Sequence, residues 1–255
     1  MATETSTAGT TLEVSKDGHT ATVTFSSERG VNVFSSAVMG ELGRQVELLA
    51  QDSDLRFVVF RGAGKTFLAG ADIGEMSAFD EAQGAAFAKH GHHVFDMIES
   101  LPQVTFAAIN GHALGGGCEL AIACDFRLMT RKATIGQPES VLGLIPGWGG
   151  TIRLRQLVGL SHARRMLFSG QGIKADEALA IGLVDEVVED ADGLDAALAR
   201  WRELIAHGAP RAITRIKRAM AHDDEINQFG CCFSCDDAHE GMKAFLDKRP
   251  PNWKT

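Results

Sequence analysis

Residues 20–25 alternate strictly: Ala21, Val23 and Phe25 are apolar, and Thr20, Thr22 and Thr24 are polar. Successive side chains of a strand face opposite ways, so this segment reads as a half-buried strand. Asp17-Gly18 before it marks a hairpin turn back to a partner strand over 11–14. Residues 56–61 (RFVVFR) read as a short buried strand, followed by a glycine-rich loop over 62–70. Further strands are predicted over 104–109 and 126–130, the first ending in the turn Asn110-Gly111. Helical patterns cover about 36–51 and 81–100, and a short apolar helix starts at Cys118. Strand, loop and helix thus recur, which points to stacked ββα units more than to a doubly wound sheet.

The last third reads differently. Helices are predicted over 174–181, 193–207, 211–220 and 225–246, with few strand signals between them. The chain therefore divides into a small polar tail (1–10), an α/β core (11–200) and a helical segment (201–255) suited to packing or assembly.

Composition narrows the function. Of the 255 residues, 45% are hydrophobic, which fits a packed domain and argues against disorder. The net charge of −8 disfavours nucleic acid, whose binding rests on phosphate neutralisation. No apolar run is long enough to span a bilayer. The five cysteines are odd in number and lack framework spacing, so reduced thiols in the cytoplasm are expected.

The candidate chemistry centres on two acidic residues. Glu119 follows Gly115-Gly116-Gly117-Cys118, and Glu139 follows Gln137-Pro138. Glycines running straight into a helix expose backbone N–H groups at its positive end, an arrangement that binds anions. A second loop, 67–73, also pairs a glycine with a small residue, Gly70-Ala71. Each loop could give one N–H to an oxyanion, and a carboxylate pair beside it could perform acid–base chemistry. Taken singly, the glycines also fit a tight turn, Glu119 a favourable first-turn charge, and Glu139 a surface loop.

Other patterns carry less. The glycines do not fit a G-x-G-x-x-G dinucleotide fingerprint. His90, His92 and His93, and Cys232-x-x-Cys235 with His239, lack a full ligand set and read as solvated or incidental groups. Arg211, Arg215, Lys217 and Arg218 read as a solvated helix face or a subunit contact.

Four stretches together resemble the crotonase superfamily, and within it the short-chain enoyl-CoA hydratases. They are FLAGADIGEM (67–76), AAINGHALGGGCELAIACDFRL (107–128), IGQPESVLGLIPGWGGTIRL (135–154) and HEGMKAFLDKR (239–249). The resemblance implies a spiral of ββα units with a C-terminal helical trimerisation region, assembling as homotrimers or homohexamers. It implies an oxyanion hole at the N–H groups of Ala71 and Gly116, and catalytic roles for Glu119 and Glu139. It puts CoA along Lys65, Ala69, Ala71, Asp72, Ile73 and Gly116, with Phe229, Phe245 and Lys248 supplied by a neighbouring subunit. The substrate would be an acyl-CoA thioester, with no metal or redox cofactor, no nucleic acid and no membrane. Alternatives are a 3-methylglutaconyl-CoA hydratase, an enoyl-CoA isomerase or a catalytically silent CoA- or RNA-binding member.

The chain departs from the family in three places. The Arg-Pro signature before the Asn is missing from Ser27-Glu28-Arg29-Gly30-Val31-Asn32. Trp148 stands where Phe or Ala is commoner and would reshape the acyl pocket. Phe106 replaces a small aliphatic residue.

Overall fold

The computed structural model describes residues 9–253. Residues 1–8 of the expected tail thus lie outside it, whereas Thr10 is buried and its hydroxyl accepts from the Val33 N–H at 2.8 Å. The predicted hairpin is present and longer than the pattern implies: strand β1 (Thr11–Asp17) runs antiparallel to β2 (Thr20–Ser26).

The ββα repeat is explicit. Strands β3 (Phe57–Gly62) and β4 (Thr66–Leu68) lead through the short helix α2 (Ile73–Met76) to α3 (Glu81–Glu99); helix α1 (Ser36–Gln51) precedes them. Strands β5 (Val104–Ile109) and β6 (His112–Leu114) lead to α4 (Gly116–Ala123). Strands β7 (Phe126–Thr130) and β8 (Thr134–Gly136) lead through a 3-10 turn (Glu139–Leu142) to α5 (Gly150–Ser169). The first strand of each unit enters one sheet and the second enters another. With β9 (Ile173–Lys174) and β10 (Glu186–Val188), the sheet orders are β1-β2-β3-β5-β7-β10 and β4-β6-β8-β9. The chain therefore spirals, each unit stacking on the one before. The small sheet carries the loops around Gly70 and Gly115 at its strand ends.

The larger sheet is covered on both faces, which explains its near-continuous apolar strands. Val58 and Phe60 face the main core; Phe57, Val59 and Phe106 face helix α7 (Ala191–Ala206) through Leu194 and Leu198. Phe106 stacks on Phe126 with centroids 5.5 Å apart, so this departure packs α7 and lies away from the carboxylates.

Some elements differ from the pattern. The twenty-residue helix α5 lies where the hydropathy gives no helical reading, because Gly159 (φ 73°) kinks it and splits the periodicity. The expected helix over 174–181 is preceded by β9 and shortened to α6 (Ala175–Ala180). The single helix expected over 225–246 is two, α9 (Glu225–Cys232) and α10 (Asp236–Leu246), with extended backbone at Cys235. The run Cys-Cys-Phe-Ser-Cys is weakly helix-forming, whereas Asp236 and Asp237 favour a fresh N-terminus. Asp237, buried, also accepts from the Arg211 N–H and so caps the start of α8 (Pro210–His222) from across the helix pair. The basic group on α8 is not one solvated face: Lys217 Nζ donates to Asp125 at 2.6 Å and to the Gln103 carbonyl at 2.8 Å. No helix among the described residues is long and apolar enough to cross a membrane.

Candidate active site

The site forms where β4 and β6 end side by side. Phe34 forms a parallel bridge with Ala71: its N–H donates to the Gly70 carbonyl, and its carbonyl accepts from the Asp72 N–H. Backbone groups alternate along an extended chain, so the intervening Ala71 N–H turns away from Phe34, toward the side where β6 ends. At that end Gly115 adopts φ 53° and ψ −121°, a conformation reserved for glycine. Its N–H donates to the Gly136 carbonyl at 2.9 Å, and the helix that follows starts at Gly116 rather than Cys118. The Gly116 N–H is therefore one of the helix's unpaired first-turn donors. A methyl group on Gly117 would stand 2.1 Å from the Leu68 carbonyl oxygen, so only glycine lets α4 approach β4 this closely.

Glu119 projects from the first turn of α4 and is almost fully buried. Its Oε1 accepts from the N–H groups of Trp148 (2.7 Å) and Gly150 (2.9 Å), which leaves Oε2 free for another partner. Burial, with the charge of Glu139 adding to it, pushes the Glu119 pKa up to about 7 against the pull of the two N–H donors. Glu139 opens the 3-10 turn and is half-buried. Its Oε1 lies 2.8 Å from where a side chain on Gly115 would begin, beside the unpaired N–H of Gly116. Burial raises its pKa to about 7 as well. Pro138, directly before it, fixes the chain direction at this point.

Two supporting groups escaped the sequence reading, and a third, Trp148, was expected to shape the acyl pocket. Gln137, with no exposed surface, places its amide NH2 at 3.0 and 3.1 Å from the two Glu139 oxygens. Arg153, also buried, donates to the Trp148 carbonyl at 2.9 Å and to Glu99 at 2.9 Å, and pairs with Asp96. It thereby pins to α3 the loop whose N–H groups hold Glu119. Trp148 is boxed by Phe34, Phe87 and Phe95 at centroid distances of 5.3–5.6 Å, and its ring covers Gly116. The only sequence signal for Arg153 is its place just after the Gly149-Gly150 pair.

The remaining predicted residues fall into two groups. Lys65 is exposed, and Ala69, Ala71, Asp72 and Ile73 line the loop that leads out of β4. The Asp72 carboxylate caps α2 through Gly74 and Glu75, so it serves the loop's shape. Phe229, Phe245 and Lys248 do not join this chain's own carboxylates. Phe229 and Phe245 stand on α9 and α10, 66% and 83% exposed, and Lys248 follows α10 with φ 55°. No group of three or more His, Cys, Asp or Glu that could hold a metal exists among the described residues.

Comparison with known proteins identifies the family. A family profile described as enoyl-CoA hydratase/isomerase matches residues 16–255. The short-chain-enoyl-CoA hydratase of Clostridium acetobutylicum is 40% identical over 92% of this chain and 94% of its own. The crotonyl-CoA hydratase of Syntrophomonas wolfei is 36% identical over 93% of this chain and 95% of its own. The crystal structure of an enoyl-CoA hydratase from Bacillus anthracis superposes with a TM-score of 0.88 at 34% identity, covering 95% and 98% of the two chains. With its ββα spiral, its glycine-led helix and its full-length match, this chain belongs to the enoyl-CoA hydratase/isomerase family of the crotonase superfamily.

Proposed function

We propose that the protein reversibly adds water across the 2,3 double bond of short-chain 2-enoyl-CoA thioesters, as in fatty-acid β-oxidation. The observation that carries this reading is the pair of carboxylates, both raised to about 7, beside the unpaired Gly116 N–H. Carboxyls pushed up in this way let one be protonated while the other is ionised near neutral pH. Hydration needs one acid and one base together, and dehydration needs the same pair with roles exchanged.

The thioester carbonyl sits between the N–H groups of Ala71 and Gly116, which polarise it and stabilise the enolate formed on attack. Glu119, held through Oε1 by two backbone donors, uses Oε2 to orient water and take its proton as the oxygen adds to the β-carbon. Glu139 delivers its proton to the α-carbon. The CoA moiety runs along Lys65, Ala69, Asp72 and Ile73. No step calls for a metal or a redox group.

Trp148 supports the short-chain part of the reading. Its indole fills the space between α3 and Gly116, where a long acyl tail would otherwise extend. The exposed apolar side chains of α9 and α10 support assembly as a trimer or a pair of trimers, with Phe229, Phe245 and Lys248 brought to a neighbour's CoA. Five free thiols fit a reducing compartment such as the cytoplasm.

Hydration of crotonyl-, hexenoyl- and decenoyl-CoA, followed by loss of the conjugated thioester absorbance, tests the proposal. We expect the highest kcat/KM with crotonyl-CoA. Equal turnover of decenoyl-CoA would overturn the chain-length reading, and no hydration of any of the three would overturn the activity.

A further inference from the structure

Trp148 meets the site through both its backbone and its ring. Its N–H donates to Glu119 at 2.7 Å, and its carbonyl accepts from Arg153 at 2.9 Å. The buried indole spans the gap between α3 and α4, edge to edge. Its pyrrole edge enters α3 at Gly91, where a methyl group would stand 2.3 Å from Nε1 and 2.5 Å from Cδ1. Its opposite edge meets Gly116, where a methyl group would stand 2.2 Å from Cζ3 and 2.8 Å from Cε3. Ordinary contact between carbons begins at about 3.5 Å, so the ring fills the room that each glycine leaves.

The seat on α3 is local in origin. Phe87, Gly91 and Phe95 are spaced four residues apart and share one helix face. The two phenylalanines flank the indole at centroid distances of 5.3 and 5.6 Å, and Phe34 closes a further side at 5.4 Å. A rigid ring boxed in this way passes the position of α3 on to whatever its far edge touches. Gly116 needs that backing. It has no side chain to pack its own backbone in place, and glycine is the residue with the most conformational freedom.

We infer that Trp148 is a positioning residue for both halves of the chemistry, on the reading above that the Gly116 N–H binds the thioester oxygen. Its backbone orients Glu119, and its ring, seated on Gly91, braces the Gly116 N–H. One residue thereby sets the separation between the base and the oxyanion donor. A phenyl ring at 148 keeps the backbone donor to Glu119 and ends short of Gly116, so ring and backbone are separable.

Acetoacetyl-CoA, a β-keto thioester that ionises to an enolate, is the probe. Its ultraviolet absorbance when bound measures how well the site holds an enolate, without turnover. Wild type should shift the bound probe toward the enolate. W148F should lower that enolate ratio and the kcat for crotonyl-CoA by about tenfold each, with KM within about threefold, less than the 10²–10³-fold cost of a whole oxyanion donor. G91A, which drives the ring about 1 Å into Gly116, should cost about 10²-fold in kcat. G91A/W148F should regain part of that loss, because residues in contact couple. Circular dichroism checks folding, and W148F decides the matter where G91A does not fold. A folded W148F with the wild-type enolate ratio overturns the brace, whether or not its kcat falls. So does a loss in W148F that appears with hexenoyl-CoA and not with crotonyl-CoA, which would leave the ring as a pocket wall only. A wild-type protein that does not hold the enolate would instead overturn the oxyanion role of Gly116, so the two failures are distinguishable.

Discussion

The loops around Glu119 and the helices after residue 210 are built on opposite plans. Around Glu119, polar groups are turned inward and held: two N–H groups on one carboxylate oxygen, an amide on Glu139, and a guanidinium tying the supporting loop to α3. Along α8–α10, apolar groups are turned outward: Met220, Ile226, Phe245 and Leu246 are each more than three-quarters exposed. Under the proposed assembly that apolar face is where a second copy packs. The contrast teaches that one chain brings both carboxylates and the groups that hold them together by itself, while the apolar face of α8–α10 is left uncovered.

The largest expected effect breaks the first half of that comparison. Glu119→Gln and Glu139→Gln should each lose about 10²–10⁴-fold in kcat, the usual scale for general acid–base catalysis. CoA-ester affinity, measured by calorimetry, should change far less. A variant that hydrates crotonyl-CoA at the wild-type rate would remove its carboxylate from the mechanism.

A second effect concerns stability. Each carboxyl has a folded pKa of about 7 against an ordinary value of 4.5. Protonation is thus favoured by the fold, and the stability associated with it is complete below about pH 4.5 and is lost as pH rises to about 7. For Glu119 this corresponds to about 3 kcal/mol, and the half-buried Glu139 gives less. Glu119→Gln should therefore melt higher than wild type at pH 8, with the gap closing below pH 4.5. Equal urea midpoints at both pH values would show that Glu119 bears no such penalty.

The smallest effect tests the second half. Phe245→Asp puts a charge on the exposed apolar face of α10, where the proposed subunit contact would bury the ring, a burial worth about 1.5–3 kcal/mol. Light scattering should show a lower oligomer mass, and KM for crotonyl-CoA should rise several-fold while kcat falls less. Unchanged mass would mean that α10 faces solvent in the assembly.

Much of this was legible in the letters. The alternation at 20–25 and the glycines before Glu119 announce β2 and α4 because each is a local signal. Helix α5 was not legible, since its apolar positions fall on either side of a kink that resets their phase. The hold on Glu119 was not legible either. It comes from the backbone of Trp148 and Gly150, and backbone donors leave no mark on side-chain pattern. Gln137 and Arg153 act across the fold, on partners that only the stacking of the ββα units brings near.

Gly91 and Trp148 carry a historical consequence. A methyl group on Gly91 would begin 2.3 Å from the indole nitrogen, so a larger residue at 91 and tryptophan at 148 exclude one another. Substitutions at positions in contact do not add independently. A lineage leaving this arrangement must lose the indole before it gains bulk at 91, and one entering it must take the steps in reverse. The order of mutation is thus constrained by packing alone, and relatives carrying a large residue at the position of Gly91 should lack tryptophan at that of Trp148.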